Sequence, residues 1–221
     1  MKAKLLESSD FIDDAIKEVK LAKDRVVLIA MVISNGELTQ EFLGSIREAS
    51  KRGVKVRMAA DYITFIELGG FLVPTNKFSK SSKQINAAVA DLRSAGVEFT
   101  WLGVNNWFVA SGRTHCKWLI IDSIVYSFGG VNVYDFGIKN TDFMLKINSK
   151  KVSDDLSVEF SKILKADKNK MSPSNKFIKI DSENTIIIDG GFVNNSAIYR
   201  RAYKLVKQAS KIIIVSQYPT T

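Results

Sequence analysis

The chain has 221 residues, 46% of them hydrophobic and 25% charged, which excludes a disordered or fibrous protein and suits one sizeable globular domain or one domain plus part of another. Its formal net charge of +9 disfavours a cationic partner and suits an anionic one, whether phospholipid headgroups, nucleic acid or a phosphorylated small molecule; the bland alternative is a charge that serves solubility alone. No run approaches the ~20 apolar residues of a membrane span, and the N-terminus lacks the apolar core of a signal peptide, so the expected location is cytoplasmic, with any membrane contact peripheral.

Ser8-Ser9-Asp10 offers helix N-cap residues, and Phe11, Ile12, Ala15, Ile16, Val19 and Ala22 follow at helical spacing. Val26 to Ile33 is continuously apolar, as in a strand covered on both faces, and Ser34-Asn35-Gly36 breaks it. A second amphipathic helix is expected over 38–52, closed by Gly53, and a strand over 54–60 that ends at Asp61. Helix, strand, helix, strand at this spacing predicts parallel pairing through crossover helices.

Residues 62–81 are less regular. The apolar stretch 65–73 reads either as a hairpin or short helix that guides a lipid or as a packed excursion from the core, and the Lys/Ser run after it reads as a solvated loop. A helix over 83–95 stops at Gly96, and 97–102 is a strand. Trp107 and Phe108 lie in the following loop, where they line a substrate mouth, sit at a membrane interface or cap the core. Residues 133–140 read as a loop, Asp142 opens a strand to Ile147, and Val152 to Leu164 reads as a helix. The polar, Lys-rich stretch around Pro173 looks like a linker.

Chemistry concentrates between the last two strands. His115 is the single histidine, and Lys117 stands two residues on in a run that reads as a strand; side chains at i and i+2 of a strand share a face. Apolar residues carry that strand to Asp122, and a second short strand, Ile124 to Phe128, ends in Gly129-Gly130, which permits close backbone approach to a ligand. Asn132 adds a neutral donor. A nucleophile or acid, a cation and a hydrogen-bond donor thus converge near two strand ends, a set suited to attacking a phosphodiester and holding the oxyanion that develops. The lone histidine and lone Cys116 adjoin each other and form no recognisable metal-ligand set, so neither metal nor cofactor is expected. One cysteine also precludes an intramolecular disulfide.

His115-x-Lys117-x4-Asp122, then Gly129-Gly130-x-Asn132, resembles the HKD signature of the phospholipase D superfamily. The Gly-Gly-x-Asn ending and Arg113 two residues before the histidine look most like the cardiolipin synthase branch of phosphatidyltransferases, phosphatidylserine synthase-type enzymes included. Many members have Gly-Ser in place of Gly129-Gly130, so a hydroxyl sometimes used on the phosphate is absent here. The resemblance implies an α/β fold: a phospholipase D-like α/β/α sandwich with a mixed, largely parallel sheet flanked by helices. It implies phosphodiester exchange through a phosphohistidine on His115, with Lys117, Asn132, Gly130 and Arg113 on the phosphate oxygens and Asp122 structural at the strand end. Family members often carry an acid near position 142 that orients an active-site histidine; Asp142 is the candidate and Asp135 the alternative. The implied partners are a phospholipid such as phosphatidylglycerol, an anionic membrane surface, and a second HKD half in the same full-length chain or a homodimer partner. Phospholipase D-type hydrolysis, nucleic-acid cleavage and a catalytically silent phospholipid-binding scaffold remain alternatives.

Tyr199 to Val215 resembles Ile12 to Leu28 without a gap, Ala15 aligning with Ala202, Val19 with Val206, Lys20 with Lys207 and Ala22 with Ala209. Read with the HKD resemblance, this predicts a first phospholipase D-like domain over 1–166, a linker over 167–175 and the start of a truncated second repeat over 176–221.

Overall fold

The computed structural model describes residues 2–69, 79–104, 115–169, 174–190 and 195–213. The chain divides into two units, Met1–Met171 and Ser172–Thr221. In the first, β1 (Ala3–Glu7), α1 (Ser8–Leu21), β2 (Arg25–Ala30), α2 (Gln40–Lys51), β3 (Lys55–Asp61), α3 (Thr64–Gly69), α4 (Lys80–Ser94), β4 (Glu98–Leu102), β5 (Trp118–Ile121), β6 (Ile124–Ser127), α5 (Asp135–Lys139), β7 (Phe143–Asn148) and α6 (Lys150–Lys168) follow one another. The sheet has seven strands in the order β1-β7-β6-β5-β2-β3-β4.

That sheet is mixed, as the sequence predicts, but it is less parallel than expected. Only β2 with β3 and β3 with β4 run parallel; the pairs β1–β7, β7–β6, β6–β5 and β5–β2 are antiparallel. The crossover argument holds where α2 and α4 separate strands by a helix. It does not extend to β5 and β6, which are joined by the two residues Asp122 and Ser123 and can only form a hairpin.

Alternation along the strands builds two cores. Val26 and Leu28 of β2, Val56 and Met58 of β3, Leu119 and Ile121 of β5 and Tyr126 of β6 share one face with the apolar stripes of α1, α2 and α4. Phe11 of α1 meets Tyr126 edge-on, ring centroids 5.5 Å apart. On the opposite face α6 buries Val152, Leu156, Phe160 and Ile163. Arg57, on that face of β3, lays its guanidinium 4.9 Å from the Phe160 ring centroid.

One polar cluster ties α1 to the sheet. Tyr126 donates to Asp14 at 2.6 Å, and Lys146 reaches Asp14 and Glu18 at 2.7 Å each. Burial alone would raise the Asp14 pKa, but the hydrogen bonds from Lys146 and Tyr126 outweigh it and hold the carboxyl below its usual range. Burial and the Asp14 charge push the Tyr126 phenol far up, so it stays a donor.

Several elements were not foreseen. Residues 135–139 form a short helix rather than loop, and β1 adds an edge strand whose only buried apolar residue is Leu6. Within 65–73, helix α3 covers the first part and residues 70–78 lie outside the description. The strand expected through His115 begins at Trp118, with His115 to Lys117 as its lead-in. Around the expected linker α6 continues to Lys168.

The second unit contains an antiparallel hairpin, β8 (Lys176–Lys179) with β9 (Thr185–Ile188), and helix α7 (Ala197–Gln208). Ser196 caps α7, its hydroxyl accepting from the Tyr199 amide at 3.0 Å. Among the described residues no helix is long and apolar enough to cross a membrane.

Candidate active site

The parallel strands β2, β3 and β4 end together at Ala30, Asp61 and Leu102, and β5 starts beside them, Trp118 opposite Ile29. His115 and Lys117 precede β5 and therefore sit at the carboxyl ends of the parallel strands, where open α/β sheets form their ligand crevices.

Lys117 is 9% exposed, close to full burial for an ammonium. Its Nζ lies 3.4 Å from His115 Nδ1 and donates to the His115 carbonyl oxygen at 3.2 Å. Ser127 of β6 donates to the Lys117 carbonyl oxygen at 2.9 Å and fixes the main chain at this point. Partial enclosure of the imidazole, then the Lys117 charge, lower the His115 pKa; the negative charge of Asp61 opposes them. Burial lowers the Lys117 pKa, partly offset by Cys116 and Asp142. The His115 shift favours a neutral imidazole at neutral pH, the form that can attack an electrophile.

Asn132 is placed by the exit of β2. Ser34 donates to the Val133 carbonyl at 2.8 Å, Val133 donates to that of Val32 at 3.2 Å, and the Val32 amide donates to Asn132 Oδ1 at 3.1 Å. With Oδ1 engaged, the carboxamide's N–H groups make no hydrogen bond among the described residues. Thr64 braces the same exit, accepting from the Ile33 amide and donating to the Met31 carbonyl, each at 3.3 Å.

Asp142 accepts from the Gly130 amide at 3.1 Å and from its own neighbour Phe143 at 2.8 Å. Asp135 accepts from the amides of Glu37 at 2.8 Å and Leu38 at 3.2 Å, bracing the loop ahead of α2. Among the described residues no hydrogen bond joins either carboxylate to His115; Asp142 acts on the pair through its charge on Lys117. The Gly130 N–H, expected on a substrate phosphate, is the one Asp142 takes.

Asp122 lies at the other end of β5. Its carboxylate accepts from the amides of Lys23 at 3.0 Å, Asp24 at 2.9 Å and Arg25 at 3.0 Å, so it anchors the entry to β2. It does so with a φ of 52°, a left-handed conformation that Asp tolerates better than most residues. Arg113, Trp107 and Phe108 lie outside the described residues.

Asp61, which the sequence marks only as a strand end, belongs to the site. It is fully buried, accepts from the Ile63 amide at 2.9 Å, and acts on His115 by charge. An acid at the carboxyl end of a parallel strand was the available signal.

The fold explains Gly129. A Cβ on Gly129 would lie 2.5 Å from the Phe143 carbonyl carbon and 3.1 Å from Met144 Cα, so the loop crosses the start of β7 in backbone contact.

The family model described as cardiolipin synthase, PLD-like domain, matches residues 15–164 and so spans His115, Lys117 and Asn132. A search of curated proteins returns no match. Among solved structures, the chain resembles the phospholipase D family member Nuc from Salmonella typhimurium with a TM-score of 0.55 and 16% identity, over 74% of this chain and 94% of that one. It resembles NucT from Helicobacter pylori with a TM-score of 0.51 and 17% identity, over 74% and 96%. It resembles phosphatidylserine synthase from Haemophilus influenzae with a TM-score of 0.58 and 15% identity, over 97% of this chain but 46% of that one, so the chain spans about half of that synthase. At these identities the likenesses show a shared fold, and the family match carries the assignment: the chain belongs to the phospholipase D superfamily of phosphodiester transferases and hydrolases, within its cardiolipin synthase PLD-like domain family.

Proposed function

We propose that the chain supplies the nucleophilic half of a phosphatidyltransferase of the cardiolipin synthase type. The observation that carries this reading is the pairing of His115 with a nearly buried Lys117 inside the segment matched by the cardiolipin synthase model. The unprotonated ring nitrogen of His115 attacks phosphorus and forms a phosphorus–nitrogen bond. The bond from phosphorus to one ester oxygen breaks, and that oxygen leaves as an alcohol after taking a proton. An acceptor alcohol then gives up its proton, attacks phosphorus and displaces the histidine, which restores the free imidazole. Lys117 and the Asn132 carboxamide hold the nonbridging oxygens as their charge grows.

The proton donor and acceptor in those steps is a second group. The chain has one histidine, already used as nucleophile, so the acid is supplied by a second HKD half in a longer chain or by a partner copy. The substrate is a phospholipid such as phosphatidylglycerol, met at the surface of an anionic membrane.

Hydrolysis of nucleic-acid phosphodiesters is the second reading, favoured by the net charge of +9. Incubation at high protein concentration with phosphatidylglycerol vesicles, and separately with single-stranded DNA, distinguishes the two. Cardiolipin that forms with wild type and not with His115→Ala supports the proposal; DNA cleavage without lipid turnover overturns it.

A further inference from the structure

The ladder between β5 and β6 stops short of the site. Its pairing runs from Ile121 with Ile124 to Leu119 with Tyr126, and two residues on the same register sets Lys117 opposite Phe128. The bond that would follow, from the Phe128 amide to the Lys117 carbonyl, is not among those the described residues make. Ser127 supplies the donor instead. Its hydroxyl, on a buried residue, reaches the Lys117 carbonyl oxygen at 2.9 Å.

Phe128 shows that the break is built in. Its φ is 62°, a left-handed conformation that an aromatic residue adopts only at a cost. Such strain persists where the surroundings over-determine it. Ser127 holds one side on Lys117. On the other side Gly129 crosses β7 in backbone contact with Phe143, and Asp142 holds the Gly130 amide at 3.1 Å. The left-handed turn takes the chain off β5 and on to Asn132, which meets the exit of β2 at Val32. Asn132 therefore depends on the turn at Phe128, and Lys117 on the hydroxyl that replaces the lost ladder bond.

We propose that Ser127 is a positioning residue for the His115–Lys117 pair, its hydroxyl standing in for the main-chain bond that left-handed Phe128 gives up. It acts through the Lys117 main chain. The Lys117 ammonium reaches back to the His115 ring at 3.4 Å and to the His115 carbonyl at 3.2 Å. A carbonyl fixed at residue 117 thus sets the separation of imidazole and ammonium, and a drift of about 1 Å between reacting groups costs up to about a hundredfold in rate. The inference rests on His115 and Lys117 as the reacting pair, but its first readout needs no substrate, so either can fail alone.

His115 is the single histidine, so its imidazole can be titrated by NMR without assignment in the whole chain, purified without a histidine tag. Enclosure and then the Lys117 charge hold the His115 pKa low, opposed by Asp61 at the end of β3. Lys117 is itself shifted by burial, then by Cys116 and Asp142. Ser127→Ala keeps all of these groups and frees the Lys117 main chain. The titration should therefore move up toward the ordinary 6.5. Labelling of His115 by a p-nitrophenyl phosphodiester should slow roughly ten- to a hundredfold. Ser127→Thr keeps the hydroxyl and should restore both readouts. If Ser127→Ala alone fails to fold, the same change is read in a Phe128→Gly background, where a left-handed φ carries no strain. A Ser127→Ala chain that melts earlier but titrates as wild type overturns the proposal, since the hydroxyl then only satisfies a carbonyl. So does a Ser127→Thr chain that titrates like Ser127→Ala.

Discussion

Gly129 and Gly130 are adjacent, yet the structure gives them opposite tolerance to a methyl group. A Cβ on Gly129 faces backbone: it would overlap the Phe143 carbonyl oxygen and lie 2.5 Å from its carbon, so restoring normal contacts of about 3.5 Å moves the loop and β7 apart by considerably more than about 1 Å. That shift costs about 3 kcal/mol as overpacking and about 1 kcal/mol more as the 3.1 Å bond from Gly130 to Asp142 is lost. At ~2–4 °C per kcal/mol for a chain of this size, Gly129→Ala should lower Tm by roughly 8–16 °C. The three atoms nearest a Cβ on Gly130 all belong to the Asp142 carboxylate, with Cγ at 3.1 Å, and that group can rotate aside. Gly130→Ala should therefore cost about 1 kcal/mol, one hydrogen bond's worth. Thermal unfolding followed by far-ultraviolet circular dichroism measures both. A Gly129→Ala variant that melts with wild type, or no earlier than Gly130→Ala, would refute the reasoning.

Other expectations follow from the same contacts. Asp122→Ala removes the acceptor of three backbone amides, two of them solvent-exposed, and should cost about 2 kcal/mol in urea unfolding; Asp122→Asn, which keeps one acceptor oxygen and the left-handed φ, should cost less. Burial would raise the Asp122 pKa, but the amides of Arg25, Asp24 and Lys23 outweigh it and bring it below 3.8. Its stabilisation is therefore complete above that unfolded value and lost as the pH falls through the lower folded value, so wild type should lose stability more steeply than Asp122→Ala on acidification below about pH 4. Lys117→Ala should lower kcat on a phosphodiester roughly 10²–10³-fold, the loss typical of one oxyanion donor, and a change in KM alone would contradict its role. The rising limb of the kcat/KM profile should lie below pH 6.5, because enclosure and Lys117 lower the His115 pKa; in Lys117→Met that limb should move up, and an unmoved limb would assign it to another group.

Local patterns made much of the fold legible. Apolar periodicity placed α1, α2, α4 and α6 within a few residues, because each buries one stripe on the sheet. Strand direction was harder, since a buried antiparallel strand such as Trp118–Ile121 is as continuously apolar as a parallel one. The edge strand Ala3–Glu7 buries only Leu6 among its apolar residues, which leaves little pattern to find. At the site, the spacing of His115 and Lys117 anticipated their contact, because both side chains leave one face of an extended segment. Asp61 could not be found that way: its influence on His115 arises only when β3 and β5 flank β2. Gly129 drew attention as a place for a ligand to approach, while its neighbour is the Phe143 carbonyl, a contact made through chain crossing and invisible in local sequence.

Covalent capture at His115 tests the central claim most directly. A diester with a good leaving group, such as a p-nitrophenyl ester labelled at phosphorus, needs no general acid to depart, so one HKD half suffices for the first step. Rapid quenching at alkaline pH, where phosphohistidine persists, followed by peptide mapping should place the label on His115, and His115→Asn should carry none. Label on another residue, or label that survives in His115→Asn, would contradict the assignment of His115 as nucleophile.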